Sequence, residues 1–326
     1  MALFNKLFGR KKDDAAPRNA PDLAAGDGTI ESLRAGLPTK AVRAERAEED
    51  IRIGLQLLFP APLALNAHVL SKGLVGFHQS LANAILEIDA ASASYGTPTG
   101  RARWGLHTVE FEGFNQKITP AVLENCVAQA PYAASIKEEA RNHQAHVRLS
   151  YAGTHPSPLD RYVAVAAVAG AIAATGANVV LNENGHTSLP IDEILPSKIS
   201  GDRLVYLRSL SIPGLYGGVV EMDIPGERGL WLRTHGCQLV RLPNIAILAA
   251  NARESQRLRK VLVSVYDFLI DNQRRLEAGQ SVRVSPESVL KFRHPGVTEF
   301  FLHDNSGVLV AEEAADSDNK PPAKSG

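Results

Sequence analysis

Hydrophobic positions recur along this chain in two rhythms, every second residue or every third and fourth, and the switches between them mark its elements. Ile53 to Phe59 reads as a strand, Pro60-Ala61-Pro62 turns the chain, and the apolar-periodic segment Leu63 to Val75 reads as a helix. His107 to Phe111 alternates apolar and polar side chains, which predicts a half-buried strand. Two polar helices follow, over Ala121 to Gln129 and Ala134 to His143.

The clearest unit begins at His146 to Tyr151, a strand by alternation. Gly153 to Pro156 turns the chain into a helix with Ser157 as N-cap, Pro158 at its first position and Asp160 in the first turn, where the macrodipole favours an acid. That helix runs to Thr175 and stops at Gly176, and its Ala-rich faces allow close approach to a sheet. Asn178 to Asn182 is the next strand, which predicts a right-handed crossover.

Beyond a loop-rich stretch holding Pro190, Pro196, Pro213 and Pro225, Gly229 to Val240 and Ile245 to Leu248 read as strands. Within that stretch Gly214-Leu215-Tyr216-Gly217-Gly218 has the glycines of a flexible surface loop and no Lys or Ser/Thr to make it a phosphate cradle. Leu258, Val261, Leu262, Val265, Phe268 and Leu269 share one face of a helix, and Phe300 to His303 is the expected last strand. The order from His146 onward predicts a ferredoxin-like α+β half over residues 146–311, with a mixed or antiparallel sheet. Residues 51–145 form a looser α+β half. The Ala-, Pro- and charge-rich residues 1–50 and the acidic residues 312–326 cannot offset the entropy of ordering and read as disordered tails.

Charge and cysteine content narrow the classes. Lys plus Arg equals Asp plus Glu at 35 each, so no global field draws the protein to nucleic acid, and no nucleic-acid partner is expected. Cys126 and Cys237 stand in no zinc or redox spacing, which suits a reducing compartment and predicts a cytoplasmic location. Tyr162 to Ala174, the longest apolar run, falls short of the roughly 20 residues a bilayer crossing needs and reads as a buried helix. The start of the chain lacks the apolar core and cleavage site of a secretory signal, so export is not expected. Leu3, Phe4, Leu7 and Phe8 would form one stripe of a short helix beside Lys6, Arg10, Lys11 and Lys12, the pattern of a weak contact with the inner face of a membrane.

The familiar nucleotide, zinc-protease, serine-hydrolase and calcium-loop motifs do not occur, and no cofactor is expected. The sharpest chemistry is His235 and Cys237, with Arg233 nearby: on an extended backbone both side chains would share a face, as nucleophile and base or as two metal ligands. Their Cβ atoms would stand about 6 to 7 Å apart, so a direct bond requires a bend at Gly236. The alternative is that Cys237 packs as a small hydrophobe while Gly236 and Pro243 shape a strand end. His143, His146 and His155 are the histidine cluster to weigh as metal ligands, although the first two belong to different elements. Glu138-Glu139 and Glu110-x-Glu112 read as solvated carboxylates.

Thr234-x-Gly236 followed by Leu242-Pro243-Asn244-Ile245, and His146-x-Arg148-Leu149 ahead of Leu159-Asp160-Arg161-Tyr162, carry a family likeness. Over residues 51–311 the chain resembles the domain-of-unknown-function 4261 family of bacterial proteins. Arg241 stands where that family prefers Gly, and Asn244 where it prefers an acid, so no acidic site comes across with the resemblance. The family has no assigned activity, and the resemblance implies fold limits rather than chemistry. The expectation is a non-catalytic binding or adaptor protein with an unknown protein partner. The alternative is an enzyme using His235 and Cys237.

Overall fold

Gly54–Phe59 (β1) buries side chains on both faces from Leu55 onward, the mark of a strand in the middle of a sheet. The computed structural model describes residues 52–94, 97–196, 201–285, 288–304 and 306–315. Residues 1–51 and 316–326 lie outside the described residues, and with them the expected N-terminal tail, its stripe from Leu3 to Lys12 and most of the expected C-terminal tail. After β1 come α1 (Ala67–Phe77), β2 (Ile85–Ile88), α2 (Ala90–Ser94), β3 (Thr99–Trp104), β4 (His107–Phe114), α3 (Pro120–Val127), α4 (Ala134–Arg141) and β5 (Ala145–Tyr151). Next are α5 (Pro158–Ala173), β6 (Val179–Asn182), β7 (Thr187–Pro190), α6 (Arg203–Ser209), β8 (Gly218–Met222), β9 (Leu230–His235) and β10 (Asn244–Ala249). The last elements are α7 (Ala252–Asp271), β11 (Ser281–Ser285), β12 (Ser288–Arg293) and β13 (Val308–Ala315).

The described strands make two sheets, seven strands in the order β2-β3-β4-β5-β1-β6-β7 and six in the order β11-β12-β13-β10-β9-β8. Every pairing in the first is antiparallel. In the second, β10 and β13 run parallel and the other neighbours antiparallel. The protein is therefore mixed α and β with mostly antiparallel sheets, as the hydrophobic rhythm predicts.

α5 is the organising helix of the first sheet. Ser157 accepts the Asp160 amide, Pro158 opens the first turn, and every side chain from Tyr162 to Ala173 is buried. One face meets β1, β4 and β5, and another meets α1 and α6. The small residues permit the contact: a Cβ on Gly73 of α1 would stand 2.6 Å from the Ala171 carbonyl oxygen. On the opposite face of this sheet, α3 and α4 cover a second cluster built from Leu58, Leu123, Cys126, Val179 and Leu181. The main core continues from the α5 face to Leu232, Ile245 and Ile247 of the second sheet, which α7 covers with Leu258, Leu262, Val265 and Leu269.

Several expectations are corrected here. Residues 146–311 do not form one ferredoxin-like sheet, because β5 and β6 flank β1 in the first sheet while β8 to β13 build the second. β5 and β6 are parallel through their shared antiparallel partner, so the predicted crossover is present with β1 inserted in it. Since β5 also pairs with β4, the first sheet is continuous across residue 145. Phe300–His303 is not a strand: Val297–Leu302 is a 3-10 turn in which only Leu302 is buried. The last strand is β13, whose Glu312 and Glu313 are drawn out of the expected tail by pairing with β12 and by bonds from Arg293 and Arg257. Gly214–Gly218 is no surface loop either, because Ile212–Tyr216 is a π-helical turn with Leu215 and Tyr216 buried and Gly217 and Gly218 packed beneath it.

Candidate functional site

The β9 segment bends where its glycine allows. Trp231, Arg233 and His235 alternate with Leu232 and Thr234, and the latter two face α7, where Thr234 meets the Tyr266 hydroxyl at 2.7 Å. Gly236 then takes a left-handed φ of 79°, and Cys237 enters a 3-10 turn, Cys237–Val240, instead of continuing the strand. The bend sends the two candidate side chains apart. The thiol is 0% exposed, with the His235 carbonyl oxygen at 3.8 Å and the Tyr266 and Thr234 hydroxyls as its other polar neighbours.

The imidazole instead stacks on His186, with ring centroids 4.5 Å apart and planes 9° from parallel. Burial, then the His186 ring and Arg233, hold His235 down to about 3. Burial pushes the Cys237 thiol up to about 11, with Tyr266 and Thr234 only partly opposing it. A buried, protonated thiol without an adjacent base is neither a nucleophile nor a ready metal ligand. Arg233 serves the same closed structure: it is buried, pairs with Asp304 and keeps an Nε with no partner among the described residues.

This region is the joint between the sheets. Asn182 of β6 donates to the Leu215 carbonyl oxygen at 2.8 Å and accepts the Gly185 amide at 3.1 Å. A Cβ on Gly217 would sit 2.7 Å from the His235 carbonyl oxygen and 3.0 Å from the Cys237 sulfur. Asn244 accepts the Cys237 amide and donates to Gln238 and Ser306, and so closes the Cys237 turn. Gln129, just past α3, pairs with the exposed edge of β8 by accepting the Glu221 amide and donating to its carbonyl.

The expected histidine cluster splits: His143 and His146 stay neighbours, with ring centroids 6.5 Å apart, while His155 lies elsewhere. His143 donates from Nδ1 to the Ala140 carbonyl at 2.6 Å and accepts the Ile118 amide at Nε2, so both ring nitrogens are occupied in one neutral tautomer. His146 donates to the Gln116 carbonyl and stacks on Phe114. His155 lies beyond the far end of β5, stacked on His107 at 4.7 Å beside Tyr151, with Asp160 Oδ2 4.0 Å from its Nδ1. No group of three or more His, Cys, Asp or Glu is placed to hold a metal ion among the described residues. Glu110 faces Arg52 and Glu112 binds Arg148, while Glu138 takes the Asn142 amide, so the carboxylate pairs are solvated faces with local partners.

The open feature lies elsewhere on the second sheet. A cleft of about 730 Å³ runs between the turn Val297–Leu302 and the strands β10, β12 and β13. Trp231 and Val310, on the face away from α7, give it apolar lining, and Trp231 packs edge-on against Phe301 at 5.6 Å. The indole is 4% exposed and its N–H has no acceptor among the described residues. Leu248 on the lining is 40% exposed, and Val297 and Phe300, on either side of the lining residues Thr298 and Glu299, are 94% and 75% exposed. Arg293 bridges Glu299 and Glu312, and Arg257 bridges Glu254 and Glu313. The sequence hints at this place only through Phe300-Phe301-Leu302, an apolar run with no periodic partner.

No family model, no curated protein and no solved structure matches the chain.

Proposed function

We propose that this chain is a non-catalytic binding or adaptor protein and that its partner seats in the cleft of the second sheet. The observation that supports this most is the contrast in access: the His235–Cys237 chemistry is closed, whereas exposed Val297, Phe300 and Leu248 border a concave surface. Aromatic anchors beside a pocket contribute disproportionately to protein interfaces. The role is exercised in a reducing compartment, in keeping with two free and buried thiols. The basic, apolar residues 1–12 assist by contacting an anionic membrane surface; co-sedimentation with anionic liposomes, with and without those residues, tests that part. No described helix is long and apolar enough to cross a membrane.

The binding reading is tested with a photo-crosslinking side chain placed at Val297 in the full chain, expressed in its native cells. The same group at Val205, 64% exposed on α6, is the control. A discrete adduct at 297, absent at 205 and lost in Phe300→Ser, supports the reading. The absence of any 297-specific adduct overturns it. In parallel, Cys237 in the native protein should alkylate at least a hundredfold more slowly than in the denatured chain; rapid native alkylation would return the enzyme reading to first place.

A further inference from the structure

We infer that the cleft of the second sheet takes a protein segment that is both basic and apolar, an inference that rests on the binding reading above. Five carboxylates line the cleft, Glu227, Glu254, Glu299, Glu312 and Glu313, against two guanidinium groups, Arg228 and Arg293. Arg257 adds a third from outside the lining. The carboxylates exceed the cations by two, and the concave wall concentrates their field.

Two of the three cations, Arg293 and Arg257, are already engaged, which leaves Arg228 beside Glu227 as the cation without an ion pair among the described residues. Arg293 is fixed by two bonds to Glu299, at 2.6 and 2.7 Å, and one to Glu312 at 2.6 Å, and Arg257 is fixed on Glu313 at 3.0 Å through Nη1. An acidic segment would meet carboxylates whose guanidinium partners already face inward, and like charges in contact work against binding. A bare cation leaves in water the exposed Leu248 of the lining and, next in sequence to the lining residues Thr298 and Glu299, Val297 and Phe300. A segment that alternates Lys or Arg with a bulky apolar residue satisfies both the carboxylates and these apolar side chains. The lining includes the consecutive β13 residues Val310–Ala314, about 17 Å of strand at roughly 3.3 Å per residue, which suits an extended segment of about five residues.

The test uses the full chain carrying Trp104→Phe, which leaves Trp231 as the sole tryptophan reporter. Eight-residue capped peptides of alternating Lys and Leu, Glu and Leu, and Lys and Ser are titrated while Trp231 emission is followed. The Lys/Leu peptide should bind saturably, at least tenfold more tightly than either of the others, and weaken as salt rises. Phe300→Ser and, separately, Glu312→Gln should each lower its affinity at least fivefold, with unfolding midpoints confirming that both variants fold. Equal binding of the Glu/Leu peptide overturns the charge assignment while leaving the binding reading intact. Lys/Leu binding that neither variant weakens overturns the placement. If no peptide binds, the inference fails, and if the Val297 crosslink is also absent the binding reading fails with it.

Discussion

The segment Thr234–Asn244 and the turn Val297–Leu302 belong to the same part of the molecule and have opposite characters. The first holds a thiol and, with its neighbour His186, two imidazoles, and buried Arg233 immediately precedes it; the thiol is shut from solvent, the His235 ring is stacked on His186 and Arg233 is held by Asp304. The second holds no reactive thiol or imidazole, but it sets two bulky apolar side chains in water next to Thr298 and Glu299, which line a cleft. Residue type alone draws attention to the first, whereas access favours the second. Chemistry becomes a site only when a ligand can reach it, and here the polar side chains of the joint are used to fasten one sheet to the other.

The sharpest way to break this contrast is acid. His235 is held near 3 in the fold, against about 6.5 for a free imidazole, and burial also lowers His186. A folded-state value below the unfolded one means that the unfolded chain takes up the proton first, so stability falls as pH drops from about 6.5 toward 3 and is unaffected by these groups above that window. His235 alone should withdraw about 3 kcal/mol by pH 4, at about 1.4 kcal/mol per pH unit. Urea melts at pH 7 and pH 4 measure it, and His235→Gln should flatten the slope by about one proton. An unchanged slope would mean that the joint does not hold the ring neutral.

Next in size, Asn244→Ala removes the acceptor of the Cys237 amide together with the donor to Gln238 and Ser306. A buried amide left without a partner should lower stability by about 2 kcal/mol. The same change should expose the thiol more often, so Cys237 alkylation rises at least tenfold through local opening. Stability loss without faster alkylation would uncouple Asn244 from the Cys237 turn.

A smaller loss is expected from Gln129→Ala, which strips both side-chain bonds from the Glu221 backbone at the β8 edge. About 1 kcal/mol should go, since the freed groups regain water. Hydrogen exchange at the Glu221 amide should accelerate, and full protection there would contradict the pairing.

What could be read from the chain follows the same division between local and long-range causes. Ser157, Pro158 and Asp160 announce the start of α5 because capping is settled within one turn, and the alternation of His107–Phe111 announces β4 because its Val109 and Phe111 face the core. β2 and β3 escape notice: Glu87, Arg101 and Arg103 face outward across a short hairpin, so charge masks the alternation. β13 escapes because Glu312 and Glu313 look like a solvated tail until Arg293 and Arg257 are brought to them from distant positions. The His235–Cys237 spacing is visible, but the turn at Gly236 that separates the two side chains depends on Asn244 and on the tight approach of Gly185 and Gly217. The cleft has no local signature, since its walls come from segments more than 80 residues apart.

The least destabilising change should have the largest functional effect. Phe300 is three-quarters exposed on a 3-10 turn, so Phe300→Ser removes almost no buried area and should move stability by less than about 0.5 kcal/mol. Burial in the fold makes little use of a phenylalanine there, whereas an anchor residue at an interface commonly contributes about 2 kcal/mol or more to binding. The variant should therefore keep its unfolding midpoint and lose the Val297-specific crosslink. A Phe300→Ser chain that melts several degrees lower would show that the turn packs against the body more closely than its exposure indicates. The contrast between a closed joint and an open cleft would then have to be redrawn.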